Sequence, residues 1–298
     1  MNSFAARTDS NLHPSRALLP ALVLGLVLVF ALGACANLTS APAPLSGDRI
    51  AAIVASRQRS AADRHNDIRR KPEQMLAFIG LRPGMVAFDL SAGGGYTTEL
   101  LARAVGPAGR VYAQSAPRNA DAPAPAAPEG AAAPAAAGPM LPPVAGARQA
   151  SARALAERAR NPLLSNIVPV LRTFEDPVPP ELAAGGLDLV TLMFNYHDLG
   201  HMGVDRAKMN QAVFAALKPG GMYVIADHAG RAGTGISESG TLHRIEEGFL
   251  RQEVEAAGFR LAAEGTFLRN PADPRDKNTP DPAQAKDEFV LKFVKPSI

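Results

Sequence analysis

Asp89 stands at the end of the apolar run 85–90, which Leu90 closes and which Ser91, Ala92 and three glycines, Gly93, Gly94 and Gly95, follow. An acidic side chain beside a turn with so few side chains lets a ligand lie against backbone amides, and the start of a following helix favours an anionic group. A second cluster, Asn195, Tyr196, His197 and Asp198, follows the apolar run 187–194, and a third, Asp227 and His228, follows 222–226. Histidine beside carboxylate is the material of general-base chemistry, so His197 or His228 is expected to take a proton from an acceptor. The plainer alternative makes each histidine structural and lets Asp198 or Asp227 hold a neighbouring loop. His243 and Arg244 are expected at the start of a long helix, where they would cap the pocket, meet an acidic substrate or lie on a solvated face. His197, Asp198, His201, Asp227 and His228 could in principle gather round an ion, but their spacings match no ligand motif and no metal is expected.

These clusters need a scaffold that brings the ends of several strands together. Runs of strand length alternate with helical spacing along the chain. The pattern predicts helix over 64–79, split at Pro72, then a strand over 85–90 and a helix over 96–105 stopped by Gly106. It continues with strand 110–113, an alanine-rich helix, strands 167–171 and 187–194, helix 205–217, and a Lys218–Pro219–Gly220–Gly221 turn into strand 222–226. A last helix over 241–257 leads to a closing antiparallel pair, 259–268 and 289–294. This is the order of an α/β fold, a mostly parallel sheet with helices on both faces, and ligands of such sheets bind at the carboxyl ends of the strands.

At this point the sequence resembles class I, S-adenosylmethionine-dependent methyltransferases. More narrowly, it is similar to a group of predicted bacterial methyltransferases with a Gly-Gly-Gly-Tyr turn followed by Thr-Glu, here Gly93 to Tyr96 and then Thr98–Glu99. The likeness runs from about Arg64 to the C-terminus and is interrupted by an Ala/Pro-rich stretch. It implies a Rossmann-like, mostly parallel seven-stranded sheet with an antiparallel C-terminal strand pair, S-adenosylmethionine as cofactor, and methyl transfer to an unknown acceptor. It sets Asp89, Ser91, Gly93 and Gly95 against the methionine part of the cofactor, with Ser91 standing where the wider superfamily has glycine. Gln114 falls in or near the place of an Asp or Glu that accepts from both ribose hydroxyls, Glu175 or Asp176 falls near the adenine, and Asn195 lies on the cofactor side. Tyr196, Asp198, Asp227, His243 and Arg244 are implied on the substrate side. Arg64, His65, Asp67 and Arg70 suggest a lid over the cofactor or, equally, a solvated charge cluster. A nicotinamide-dependent oxidoreductase would want a further glycine near Thr98 or Glu99 and an acid ending the second strand, and the chain has neither. A non-catalytic binding protein that keeps the fold is the other alternative, and Gln114 in place of an acid points to it.

The remaining chain bears on location. Of 298 residues, 47% are hydrophobic, ample for a core, while a net charge of +3 spread over both signs is too weak and too mixed to argue for a nucleic-acid or anionic-membrane surface, and no nucleic-acid partner is expected. The one cysteine, Cys35, rules out an internal disulfide. It ends a basic-then-apolar segment at Leu32–Gly33–Ala34–Cys35, which resembles a bacterial lipobox. The resemblance implies a signal peptide over 1–34, lipid on Cys35 and a flexible tether over 35–47; the alternative is an uncleaved anchor. The domain is expected over 48–298, with an N-terminal helical segment at 48–80 and a disordered Ala/Pro-rich insertion at about 116–146. Ala36 after the cysteine favours the periplasmic side of the outer membrane over the inner membrane. The expected partners are the membrane, through lipid, and a small-molecule or envelope substrate. A supply of S-adenosylmethionine outside the cytoplasm is not explained by anything in the sequence.

Overall fold

Seven strands hydrogen-bond into one sheet in the order β3-β2-β1-β4-β5-β7-β6: β1 Val86–Leu90, β2 Arg110–Ser115, β3 Ile167–Leu171, β4 Leu187–Met193, β5 Leu217–His228, β6 Arg260–Gly265 and β7 Glu288–Val294. The computed structural model describes residues 42–117, 145–278 and 285–297. The expected signal peptide, Cys35, the tether up to Ala41 and most of the Ala/Pro insertion lie outside them. Neighbours from β3 to β5 run parallel, and β7 enters antiparallel between β5 and β6. The expected seven-stranded sheet with a closing antiparallel pair is what forms.

Among the described residues eight α-helices accompany it: α1 Gly47–Val54, α2 Ala61–Arg70, α3 Pro72–Ile79, α4 Tyr96–Val105, α5 Ala145–Ala159, α6 Asp198–His201, α7 Arg206–Ala216 and α8 Glu247–Ala256. Alternation along the strands feeds two cores. Phe88, Leu90, Val190 and Ile225 pack with Val213 of α7 and Val254 of α8, while Ala87, Leu189, Val224 and Ala226 pack with Leu76 of α3 and Leu101 of α4. Pro72 splits α2 from α3 as its chemistry requires, with Lys71 between them in the left-handed region at φ 43°. Ser60 caps α2 by accepting from the Asp63 amide at 3.0 Å.

Two elements depart from expectation: 218–221, expected as a turn, is the first part of β5, and the final helix is shorter at its start. The last helix begins at Glu247, not near 241. Ile245 instead pairs with the end of β5: its amide donates to the His228 carbonyl at 3.1 Å, and its carbonyl accepts from Gly230 at 2.7 Å. Edge pairing satisfies the backbone groups that a further helical turn would have used, and it leaves His243 at φ 50° beside the strand ends.

Candidate functional site

The carboxyl ends of β1, β4 and β5 open on a cavity of about 460 Å³. Its floor is the turn after β1, where Ser91, Gly93 and Gly95 all take positive φ (59°, 54° and 84°) and the exposed backbone of Gly93 and Gly94 faces the opening. Asp63, Asn66, Arg69 and Arg70 of α2 form one wall, and Ala154 and Arg158 of α5 another. The turn is tightly held. Gln114 accepts from the Ser91 amide at 2.9 Å and donates to the Arg172 carbonyl at 2.6 Å. Arg158 donates to the Gly94 carbonyl at 2.7 Å and to Asp63 at 2.8 Å, and pairs with Glu99. Asp89 accepts from Thr98 at 2.6 Å and from Thr191 at 2.8 Å. Burial pushes its carboxyl up to about 6, against the pull of those hydroxyls and of Arg70.

The opposite wall is a histidine–carboxylate group. His197, His201, His228 and His243, four of the chain's six histidines, line the cavity together with Asp198. His197 Nδ1 lies 2.6 Å from Asp227, which also accepts the His197 amide at 2.8 Å, and Nε2 lies 3.1 Å from Asp198. His243 Nδ1 lies 2.7 Å from the same Asp198 oxygen. Burial lowers the His197 pKa, but the charges and hydrogen bonds of Asp227 and Asp198 outweigh it and raise the ring to about 10. Burial likewise opposes the charge on Asp198, yet His197 and His243 hold it well below the usual carboxylate range. His228 Nδ1 is 3.1 Å from Glu288, which also pairs with Arg69 at 2.6 Å. A hydrogen-bonded chain joins the floor to this wall: Ser91 donates to Asn195 at 2.6 Å, and Asn195 donates to Asp198 at 2.9 Å.

Asp89, Ser91, Gly93, Asn195, Asp198, His197, His228 and His243, all named from the sequence, line one cavity. Other residues named from sequence do not line it. Gln114 is fully buried with both ends of its amide engaged, so it locks the turn and has no group left to face a ribose. Glu175 and Asp176 lie away from the cavity, Asp176 exposed and paired with Arg172. Gly95 turns toward α5. Tyr196 points into the core, donating to Glu253 at 3.0 Å and accepting from Asn210 at 2.8 Å. Asp227 stands behind His197 and orients it. Arg244 is fully buried on Asp273 at 2.9 Å and the Ala229 carbonyl at 2.9 Å, so it neither caps the pocket nor meets a substrate. In the suggested lid, Arg64 and His65 are exposed, and Asp67 anchors α2 by accepting from Tyr96 at 2.7 Å and from both arms of Arg59. Of that group, Arg70 alone reaches the cavity. His197 has a carboxylate at each ring nitrogen, and both favour its protonated form, the opposite of what a general base needs. Sequence reasoning missed Asp63, Asn66, Arg69 and Arg158. The spacing of Asp63, Asn66 and Arg70 on one helical face was a readable signal, whereas Arg158 gave none.

No protein-family model matches the chain, and no curated protein matches it either. Among solved structures, the chain is similar to a SAM-dependent methyltransferase from Aquifex aeolicus at 17% identity, over 84% of this chain and 99% of that one, with a TM-score of 0.51. It is also similar to the [4+2]-cyclase SpnF at 15% identity, over 87% and 89%, with a TM-score of 0.52. The strand order, the glycine turn after β1 and these likenesses give the described chain the fold of class I, S-adenosylmethionine-dependent methyltransferases.

Proposed function

We propose that the domain binds S-adenosylmethionine in this cavity and transfers its methyl group to a small acceptor, anchored in the bacterial envelope through lipid on Cys35. The observation that carries the reading is the hydrogen-bonded chain from Ser91 through Asn195 to Asp198, which couples a ligand-sized glycine cradle to a polar histidine wall across one cavity. The residues fit the amino-acid end of the cofactor. Gly93 and Gly94 offer unobstructed backbone, and Arg69, Arg70 and Asp63 supply both signs of charge around it. When bound, S-adenosylmethionine supplies an electrophilic methyl group. The chain's own part is to bind and orient: α2 and α5 close over the turn, and Asp227 and Asp198 fix the His197 ring toward the acceptor side. The anchoring is supported by the Leu32–Cys35 motif, and the small-acceptor reading by the cavity's size.

A second reading, a binding protein without catalysis, is favoured by Gln114, since β2 brings no carboxylate to the cavity for a ribose. The [4+2]-cyclase SpnF, which is similar in fold, fits this reading too, since a shared fold does not fix the reaction. Calorimetry on the purified full chain in detergent decides the shared part. S-Adenosylhomocysteine is expected to bind with 1:1 stoichiometry and NAD to give no heat. Binding of NAD alone would overturn both readings, and binding without methyl transfer to any acceptor leaves the second.

A further inference from the structure

Three ligand-capable side chains converge where no sequence spacing predicted it. Ligand atoms of His197, Asp198 and His243 all lie within 4.8 Å of one another, with His197 Nε2 3.1 Å and His243 Nδ1 2.7 Å from one Asp198 oxygen. A tetrahedral ion with bonds of about 2.1 Å needs its ligand atoms about 3.4 Å apart, so the Asp198 oxygen, now at hydrogen-bond distance from both imidazoles, has to draw back by only about 0.3–0.7 Å to admit one. The supporting contacts are those of a metal site as well. A metal-bound histidine characteristically gives its other ring N–H to a carboxylate, and His197 Nδ1 sits 2.6 Å from buried Asp227. The second Asp198 oxygen accepts from Asn195 at 2.9 Å, which fixes the carboxylate's rotation. His243, which completes the group, has its backbone in the left-handed region at φ 50°. Asp198 keeps 25% of its side-chain surface accessible, and His243 14%, so the group opens on the cavity and is not sealed in the core.

We propose that His197 Nε2, Asp198 and His243 bind one divalent transition-metal ion, with its remaining coordination open to the cavity for an oxygen, nitrogen or sulfur donor. Two imidazoles and one carboxylate select a borderline ion of the zinc class over magnesium or calcium, which take all-oxygen sites. The ion replaces the hydrogen-bonded proton between His197 and Asp198 and holds the two walls of the group together. The ion site stands without the methyltransferase reading. Only the identity of the incoming donor, a methyl acceptor that ligates metal, rests on that reading.

The test is titration of the chelator-treated full chain in detergent with Co²⁺ as a visible probe, with S-adenosylhomocysteine calorimetry run on the same samples. One equivalent of Co²⁺ is expected, with d–d absorption that Zn²⁺ abolishes. His243→Gln and Asp198→Ala are expected to weaken Co²⁺ at least tenfold, and Asp227→Asn, which alters the carboxylate behind the His197 ring that also accepts the His197 and His228 amides, about 10–100-fold. His65→Gln, on the exposed side of α2, is expected to change nothing. Circular dichroism identifies any variant that fails to fold, and the site is judged on those that keep the wild-type spectrum. Absence of stoichiometric Co²⁺ binding overturns the site, as does binding that both His243→Gln and Asp198→Ala leave unchanged. Co²⁺ bound in the wild type without S-adenosylhomocysteine supports the ion site and sinks the methyltransferase reading; the reverse result does the opposite.

Discussion

Asp89 and Gln114 lie on neighbouring strands and are equally buried, yet their buried polar atoms are satisfied differently. Gln114 is neutral and engages both ends of its amide, so burial costs it little. Asp89 accepts two threonine hydroxyls and still has its pKa pushed up to about 6, because desolvation of the charged form outweighs those bonds. The sign follows. A folded pKa above the ordinary carboxylate value means the folded state binds the proton more tightly. This contributes stability that is full below about pH 4 and lost as pH rises through about 6. Asp89→Asn lacks that titration. Urea unfolding from pH 4 to pH 8 is expected to show the Asn variant gaining on wild type by about 2–3 kcal/mol, from the roughly two-unit shift at 1.36 kcal/mol per unit. A stability difference that stays flat over that range would show that Asp89 is not held in this environment.

At the scale of elements, the decisive packing is α5 across the glycine turn. A Cβ on Gly95 would come 3.0 Å from Leu155 and 2.9 Å from Arg158, and Gly95 has φ 84°. Gly94 differs: its φ lies outside the left-handed region, and an added Cβ meets only Ala154 at 3.9 Å. Gly95→Val therefore combines backbone strain with overpacking and is expected to cost about 2–4 kcal/mol of stability. Gly94→Val is expected to keep the wild-type unfolding midpoint within about 1 kcal/mol and to lose S-adenosylhomocysteine binding, because its side chain fills the cavity floor. Urea unfolding and calorimetry on the pair separate the two effects. If both variants unfold alike, the α5 contact does not exist in solution.

For the whole molecule, no helix among the described residues is long and apolar enough to cross a membrane. The Leu32–Cys35 motif is the sequence feature that offers an attachment, and we propose it as the anchor. Wild-type chain expressed in bacteria is expected to incorporate labelled fatty acid and fractionate with membranes, and Cys35→Ala to lose the label. Equal labelling of both would exclude lipidation at Cys35. The sequence by itself determined the element order, the sheet class and the turn after β1, because apolar period and glycine chemistry act within a few residues. It also marked the clusters after β4 and β5. What it left undecided was which side of each strand end a side chain takes. Tyr196 and His197 are adjacent, yet one enters the core and the other the cavity. Only the tertiary structure brought His243 to Asp198 across 45 residues and Arg158 to Gly94 across 64. Those contacts depend on where an edge pairing or a helix docks on the assembled sheet, and that placement is set by long-range burial that no local pattern encodes.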